Sequence, residues 1–159
     1  MDFKTADLYD RHGEALRVCE PIFGDYGGLV RSAGAVATVK CFEDNTQVKA
    51  ALAEPGQGRV LVVDAGGSLR CAMLGDVLAT GAVNNGWTGV VINGCLRDAG
   101  EIADMELGVK ALGTMPRKSE RRGEGQRDIP VAFAGVMFRP GDWVYCDEDG
   151  VVVADGPLT

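Results

Sequence analysis

The fold is decided by residues 59–98, which read RVLVVDAGGSLRCAMLGDVLATGAVNNGWTGVVINGCLRD. Two apolar runs in this stretch, residues 60–63 and 89–93, are short and rich in β-branched side chains, which is typical of buried strands. Between them the sequence predicts a helix from Asp76 to about residue 83, ending near the Asn-Asn-Gly of residues 84–86. The order of strand, helix and strand predicts a parallel α/β unit.

The flanking segments extend this pattern into one domain over residues 1–159. Upstream we predict a short helix over residues 5–16, a strand over 35–41, and a helix from Asp44 or Asn45 to about residue 53. Downstream we predict a helix over residues 99–112, followed by short strands at residues 131–133, 135–138, 142–146 and 150–154. We therefore expect a layered α/β domain with a mixed sheet or barrel-like centre and helices outside.

Composition excludes several classes of protein. Of the 159 residues, 46% are hydrophobic and 25% are charged, which is typical of a globular domain and not of a disordered or fibrous chain. The net charge of −7 argues against direct binding of nucleic acid, which depends on neutralising phosphates with Lys and Arg. The sequence contains no long apolar run and no secretory signal pattern, so we expect no membrane span and a cytoplasmic location.

The cysteines and the histidine do not suggest a site. The five cysteines are odd in number, scattered and without a C-x-x-C pair, which argues against a disulfide framework and against a zinc site. We expect them to be small buried hydrophobic residues. Because His12 is the only histidine, a Ser-His-Asp or Cys-His mechanism would depend on it alone, and its position far from residues 59–98 does not favour one.

Polar side chains follow the predicted strands, where ligands collect in open α/β sheets. We expect Asp76, Arg97 and Asp98 to share one pocket there. Asp76 is at a predicted helix start, where a carboxylate is a common cap and where free N–H groups can also bind an anion. Arg97 offers a planar fork for a carboxylate or keto acid, and Asp98 offers hard oxygens to Mg²⁺ or Mn²⁺, although such a pair is also common on ordinary surfaces.

Residues 116–127 form the most basic segment of this acidic chain. Such a segment is usually a solvated loop, and the alternatives are a flap over an anionic ligand or a contact between subunits. All three interpretations stay open at this point.

The spacing of the three polar residues resembles that of a known family. Asp76 and Arg97 are separated by twenty residues and Asp98 follows directly, and this D-x20-R-D pattern is similar to that of the RraA-like family, which includes metal-dependent 4-hydroxy-4-methyl-2-oxoglutarate aldolases. Further phrases that resemble the family lie at residues 20–28, 39–45, 58–64, 133–136 and 141–142. The resemblance spans nearly the whole chain.

The resemblance implies a fold, a reaction and roles for residues. The fold would be an α/β/α type similar to phosphohistidine-swivelling domains, usually as a homotrimer with sites near subunit interfaces. The backbone of Gly75, Asp76, Val77 and Leu78 would hold the substrate carboxylate, Arg97 would bind substrate oxygens, and Asp98 would help to hold Mg²⁺ or Mn²⁺. Asp76, by orienting a water molecule, would assist the proton transfer that converts the enolate to pyruvate. The implied reactions are cleavage of 4-hydroxy-4-methyl-2-oxoglutarate to pyruvate and, secondarily, decarboxylation of oxaloacetate.

The resemblance to the family also implies two alternative functions. One branch regulates ribonuclease E by binding it, and the length and N-terminal phrases of this chain are similar to that branch. The intact D-x20-R-D set favours catalysis instead. An older label for the family is a methyltransferase, for which the only support is the glycine phrase at residues 64–68, and this phrase lacks the G-x-G-x-x-G spacing of a nucleotide-binding loop.

Overall fold

The computed structural model describes residues 2–158 and has a mixed α/β fold in which the main sheet curls into a half-barrel. The helices are α1 (Thr5–His12), α2 (Thr46–Leu52), α3 (Asp76–Asn84) and α4 (Ala99–Ile102), with a 3-10 turn at Gly13–Ala15. The first nine strands are β1 (Arg17–Val18), β2 (Gly24–Asp25), β3 (Ser32–Lys40), β4 (Val60–Asp64), β5 (Ala72–Leu74), β6 (Gly89–Asn93), β7 (Cys95–Leu96), β8 (Gly108–Ala111) and β9 (Gly113–Thr114). The remaining strands are β10 (Gln126–Arg127), β11 (Val131–Phe133), β12 (Val136–Phe138), β13 (Trp143–Asp147) and β14 (Gly150–Ala154).

The main sheet has a parallel centre and antiparallel flanks. Its spatial order is β1-β14-β13-β3-β4-β6-β8-β2, and β10 pairs with the end of β3. Strands β3, β4, β6 and β8 run parallel, whereas β13, β14, β1, β10 and β2 pair antiparallel. The central strands are buried on both faces, which explains why β4 and β6 are continuous apolar runs rather than alternating ones.

Successive side chains of the central strands fill two different cores. In β4, Leu61 and Val63 pack beneath α2 and α3, while Val60 and Val62 point to the opposite face and join the core formed with the β11–β12 hairpin. In β3, Ala33 packs near α1 on the same face as the residues beneath α2. The helices and the hairpin therefore cover opposite faces of the curled sheet.

Most of the predicted elements are confirmed. The runs at residues 60–63 and 89–93 are β4 and β6, and the helix predicted from Asp76 is α3. The four strands predicted in the last third are β11 to β14. The N-terminal helix is shorter than predicted, because the chain turns at Gly13, where φ is 54°, and continues as a 3-10 turn.

The helix predicted over residues 99–112 is wrong. Only its first turn is helical, and its second half is β8, which pairs in parallel with β6. Leu107, Val109 and Ala111 are all buried in the core beneath the helices, so their alternate spacing was a strand signal. Lys110 lies on the other face with its ammonium group 2.8 Å from a carboxylate oxygen of Asp25, and this pairing permits a buried charge inside a sheet.

The remaining expectations concern membranes and cysteines. Within the described residues no helix is both long and apolar enough to cross a bilayer. All five cysteines are buried free thiols, as the sequence predicts. Burial raises the pKa of Cys146 to about 12, which keeps this thiol protonated and unreactive at neutral pH.

Candidate active site

A second, three-stranded parallel sheet, β5-β7-β9, carries the candidate site at the carboxyl ends of its strands. Strand β5 ends at Leu74 directly before Gly75, and β7 ends at Leu96 directly before Arg97. The N–H of Arg97 donates to the carbonyl oxygen of Leu74 over 2.9 Å, so the two polar segments leave the sheet side by side. Both short strands were missed in the sequence: residues 94–98 were interpreted as a loop, and no element was predicted for residues 72–74.

The segment after β5 contacts the segment after β7 directly. The N–H of Asp76 donates to Oδ2 of Asp98 over 3.0 Å. A Cβ atom at residue 75 would lie 2.9 Å from the same Oδ2 and 3.5 Å from Nε of Arg97, so the close approach requires glycine. The structure thus brings together the three residues of the D-x20-R-D pattern.

The carboxylate of Asp98 is held in its charged form. The hydrogen bond from the N–H of Asp76 lowers the pKa of Asp98, and the neighbouring guanidinium of Arg97 lowers it further. The backbone of Asp98 has φ 59° and ψ 40°, a left-handed conformation that non-glycine residues rarely adopt. Strain of this kind is typical of functional sites, where the surrounding structure fixes a side chain in place.

The first turn of α3 presents two backbone donors. The helix begins at Asp76, with Gly75 in the capping position and no capping bond from a side chain. Because Asp76 donates its N–H to Asp98, that predicted donor is already used within the chain. The N–H groups of Val77 and Leu78 have no partner one turn earlier in the helix, so they are the first-turn donors that an anion would meet.

These residues line a pocket of about 560 Å³. Its walls include every residue predicted for the site: Gly75, Asp76, Val77, Leu78, Arg97 and Asp98. The other lining residues are Asn45, Lys49, Ala72, Leu74, Lys118, Ser119, Glu120 and Arg121. A volume of this size suits a small metabolite.

The basic segment supplies part of the pocket wall. Of the three interpretations of this segment, the one that places it over an anionic ligand agrees with the positions of Lys118 and Arg121 in the pocket lining. Lys49 of α2 and Arg97 add two further cationic groups to the same pocket. The Nε of Arg121 donates to Oδ1 of Asn45 over 2.9 Å. The pocket lining has four cationic side chains and three carboxylates, so it is weakly positive in an otherwise acidic chain, and this balance favours a carboxylate-bearing ligand.

A buried carboxylate holds this wall. Asp44 is fully buried, and its Oδ1 accepts from the N–H and the hydroxyl of Thr46, while its Oδ2 accepts from the N–H groups of Arg122 and Glu124. Burial alone would raise the pKa of Asp44, but these four hydrogen bonds lower it to about 2. The sequence predicted Asp44 only as a helix cap.

The depressed pKa of Asp44 predicts an acid-sensitive contribution to stability. The folded pKa of about 2 lies below the value of 3.8 expected of the unfolded chain, so the contribution is present above pH 3.8 and is lost as the pH falls through 2. We expect Asp44→Asn to remove about 2 kcal/mol of the pH dependence of the free energy of unfolding between about pH 5 and pH 2. Urea unfolding across this range measures it. The exposed Asp104→Asn is the control, and an unchanged profile in Asp44→Asn would contradict the assignment.

The chemistry of the pocket suits a hard divalent cation. Asp98 and Asp76 contribute carboxylates to one pocket, and Asp98 is ionised. Mg²⁺ is commonly held by one or two carboxylates and keeps water or substrate oxygens in its other positions. Within residues 2–158 no cluster of three or more acidic, histidine or cysteine side chains is arranged as a closed metal cage. A cation here would therefore take one or two protein carboxylates and fill its other positions with water or ligand oxygens.

The glycine phrase at residues 64–68 has a structural explanation. The N–H of Gly66 donates to Oδ1 of Asp64 over 3.0 Å, and Gly66 and Gly67 have φ values of 69° and 72°. A Cβ at Gly66 would lie 2.6 Å from the ring of Phe42. Tight turning and close packing account for both glycines.

Outside the basic segment, four pocket residues were missed as candidates in the sequence: Asn45, Lys49, Ala72 and Leu74. Asn45 and Lys49 belong to the start of α2, and Ala72 and Leu74 belong to β5. The basic charge of residues 116–127 was the available signal for the far wall, but nothing in the local pattern showed that α2 would face it.

Comparison with known proteins gives close relatives over the full chain. A protein of Alkalilimnicola ehrlichii named "Putative 4-hydroxy-4-methyl-2-oxoglutarate aldolase" is 56% identical over 158 residues, which covers 99% of this chain and 98% of that protein. A protein of the same name from Laribacter hongkongensis is 52% identical and covers 99% of both chains.

Solved structures agree in fold. A Geobacillus kaustophilus protein described as S-adenosylmethionine:2-dimethylmenaquinone methyltransferase has a TM-score of 0.96 and 51% identity, covering 98% of this chain and 97% of that one. The RNA-processing inhibitor RraA from Thermus thermophilis has a TM-score of 0.96 and 42% identity, covering 100% and 96%. The profile described as RraA-like, Aldolase/RraA, matches residues 5–153. The chain therefore belongs to the RraA-like family.

Proposed function

We propose that this protein is a divalent-metal-dependent lyase that cleaves 4-hydroxy-4-methyl-2-oxoglutarate to pyruvate and also decarboxylates oxaloacetate. The observation that carries the proposal is the contact between the Gly75–Asp76 segment and Asp98, with Arg97 beside it in one pocket. The names of the full-length relatives support the aldolase assignment.

The reaction needs stabilisation of one intermediate. Cleavage breaks the bond between C3 and C4 of the substrate, and the C4 hydroxyl loses a proton as that carbon becomes the keto carbon of one pyruvate. The electron pair of the broken bond passes to the other fragment, which becomes a pyruvate enolate and takes up a proton at C3 to give the second pyruvate. Groups that stabilise the negative charge on the enolate oxygen therefore accelerate the reaction.

The residues of the first wall suit that intermediate. The guanidinium of Arg97 would donate to the keto oxygen and the adjacent carboxylate, and the N–H groups of Val77 and Leu78 would bind the carboxylate at the start of α3. Asp98 would help to hold the cation, directly or through water. When bound, Mg²⁺ or Mn²⁺ supplies Lewis-acid stabilisation of the developing enolate. No lysine Schiff base is needed.

The opposite wall suits the second carboxylate of the substrate. Lys49, Lys118 and Arg121 line the same pocket as Arg97, and the substrate carries a carboxylate at each end of its carbon chain. Binding both ends would hold the bond between C3 and C4 in the middle of the pocket, where Asp76 is the candidate for proton transfer, directly or through a water molecule.

Decarboxylation of oxaloacetate follows from the same intermediate. Loss of CO₂ from C4 leaves the electron pair on C3 and forms the same pyruvate enolate. Both reactions therefore depend on Arg97 and on the cation.

We also propose that the protein forms a homotrimer. The side chain of Val77 is 78% exposed at the edge of the pocket, and burial against a neighbouring subunit would remove this apolar surface from water. Sedimentation equilibrium tests the assembly, and a monomer at micromolar concentration would contradict it.

Removal of the metal tests the mechanism. We expect the purified protein to release pyruvate from 4-hydroxy-4-methyl-2-oxoglutarate and from oxaloacetate with Mg²⁺ or Mn²⁺, and to lose at least about 99% of this activity in excess EDTA. Lactate dehydrogenase and NADH measure the pyruvate. Restoration by added Mg²⁺ is the control for irreversible damage, and turnover that persists after removal of the metal would rule out the mechanism.

The similarity to RraA from Thermus thermophilis supports a second candidate function, the binding and inhibition of ribonuclease E. An inhibition assay with purified ribonuclease E separates the two functions. Inhibition that survives Arg97→Ala, in a protein without lyase activity towards either substrate, would favour the regulator over the enzyme.

A further inference from the structure

Asp44 links the beginning of α2 to the basic wall of the pocket. One carboxylate oxygen accepts two hydrogen bonds from Thr46, and the other accepts the N–H groups of Arg122 and Glu124 over 2.7 and 3.1 Å. The hydroxyl of Thr46 also accepts from the N–H of Gly123 over 3.2 Å. This one corner of the chain therefore fixes three consecutive residues, 122–124, which directly follow the wall residue Arg121.

Asn45 links the same corner to the opposite wall. Its amide nitrogen donates to the carbonyl oxygen of Met73 over 3.1 Å, and its amide oxygen accepts from Arg121 over 2.9 Å. Met73 lies in β5, the strand that leads into Gly75 and the first turn of α3. The corner formed by Asp44 and Asn45 thus sets the distance across the pocket.

We propose that Asp44 is a positioning residue that makes the pocket selective for keto acids with two carboxylates. It acts by holding the wall so that Arg121 stays at a fixed distance from Arg97. This inference rests on the proposed function, because it concerns how the same site chooses its substrate.

Over residues 120–125 the backbone N–H groups that find a partner donate to Asp44 or Thr46, and the side chain of Arg121 donates to Asn45, which is why Asp44 matters. Gly123 and Gly125 have φ values of 76° and 125°, and the side chains from residue 120 to residue 126 are exposed. Neighbouring cations at Arg121 and Arg122 repel each other. An exposed loop with two glycines would move towards solvent if its backbone N–H groups lost their acceptor.

The variant Asp44→Asn is designed to release the wall and keep the helix. Its amide oxygen still accepts from Thr46, but its NH₂ group meets the N–H groups of Arg122 and Glu124, so donors face donors. A milder second variant, Thr46→Val, removes only the hydroxyl that contacts Gly123 and Asp44. The matched control is Asp147→Asn, because Asp147 is another buried carboxylate that accepts several hydrogen bonds and does not line the pocket.

Two ligands separate positioning from general damage. Calorimetry with Mg²⁺ gives the affinity for 2-oxoglutarate, which has two carboxylates, and for pyruvate, which has one. We expect Asp44→Asn to weaken 2-oxoglutarate binding about tenfold and pyruvate binding less than about twofold, Thr46→Val to act in the same direction with a smaller effect, and Asp147→Asn to leave the ratio unchanged. Trypsin cleavage after Arg121 and Arg122 should accelerate about tenfold in Asp44→Asn, less in Thr46→Val and not in Asp147→Asn.

Other outcomes would overturn the inference. An equal loss for both ligands, an unchanged ratio, or the same change in Asp147→Asn would mean that Asp44 supports the fold without positioning the wall. If the native protein bound neither keto acid, the proposed function itself would be wrong, so the two failures are distinguishable.

Discussion

Arg97→Ala is expected to lower kcat for pyruvate release by about 10²- to 10³-fold while the protein stays folded. The guanidinium would act on charge that develops as the enolate forms, so its removal costs more in the transition state than in substrate binding. Arg97 is only partly buried. Within the described residues its side chain makes one hydrogen bond, a long contact of 3.5 Å to the carbonyl oxygen of Pro116. The loss of stability should therefore be small.

Two further variants sharpen this experiment. Arg97→Lys keeps the charge but loses the planar fork, so we expect it to recover only a small part of the activity. Arg117→Ala removes a positive charge from an exposed neighbour outside the pocket and should keep most of the activity. Full turnover in Arg97→Ala with both substrates would show that the enolate is stabilised elsewhere.

Gly75→Ala is expected to reduce kcat/KM by about a hundredfold through displacement of the site. The added Cβ would lie 2.9 Å from Oδ2 of Asp98 and 3.5 Å from Nε of Arg97. The first distance is shorter than the normal contact distance between non-bonded carbon and oxygen atoms. The backbone of Gly75, with φ −129°, is open to any residue, so the effect comes from contact with Asp98 and not from backbone strain. The carboxylate must move, and its hydrogen bond with the N–H of Asp76 must lengthen or break.

Gly81→Ala is the matched control in the same helix. A Cβ at Gly81 would meet nothing within 4 Å, so the substitution should stabilise α3 by about 0.5–1 kcal/mol and leave the activity unchanged. Thermal unfolding and pyruvate release measured on both variants check the pair. Wild-type activity in Gly75→Ala would mean that the contact between the two segments is not needed for catalysis.

The sequence predicted the central elements because their signals are local. Runs of β-branched residues gave β4 and β6, and the Asn-Asn-Gly ending gave the limit of α3. The prediction of a helix over residues 99–112 failed because the apolar spacing in the second half of this segment suits a strand as well as a helix. Pairing with β6 and the ion pair between Lys110 and Asp25 decided in favour of the strand.

The candidate site was predictable in part for a comparable reason. Asp76, Arg97 and Asp98 each follow an apolar run, and the rule that strand ends converge predicts their meeting. The contact of Asp76 with Asp98 required the small β5-β7-β9 sheet, whose strands are only two or three residues long and carry almost no periodic signal. Short strands of this kind form because their neighbours supply the hydrogen bonds.

The sequence by itself determined the α/β class, the strands at the centre of the sheet, the family, and three side chains of the pocket, because each of these depends on residue types at short or fixed spacing. Only the tertiary structure decided that Asp44 and Asn45 bind a loop more than seventy residues away and that Lys49 and Arg121 line one pocket with Arg97. Such contacts join segments whose separation in the chain is unrelated to their distance in space, so no local pattern of residues encodes them.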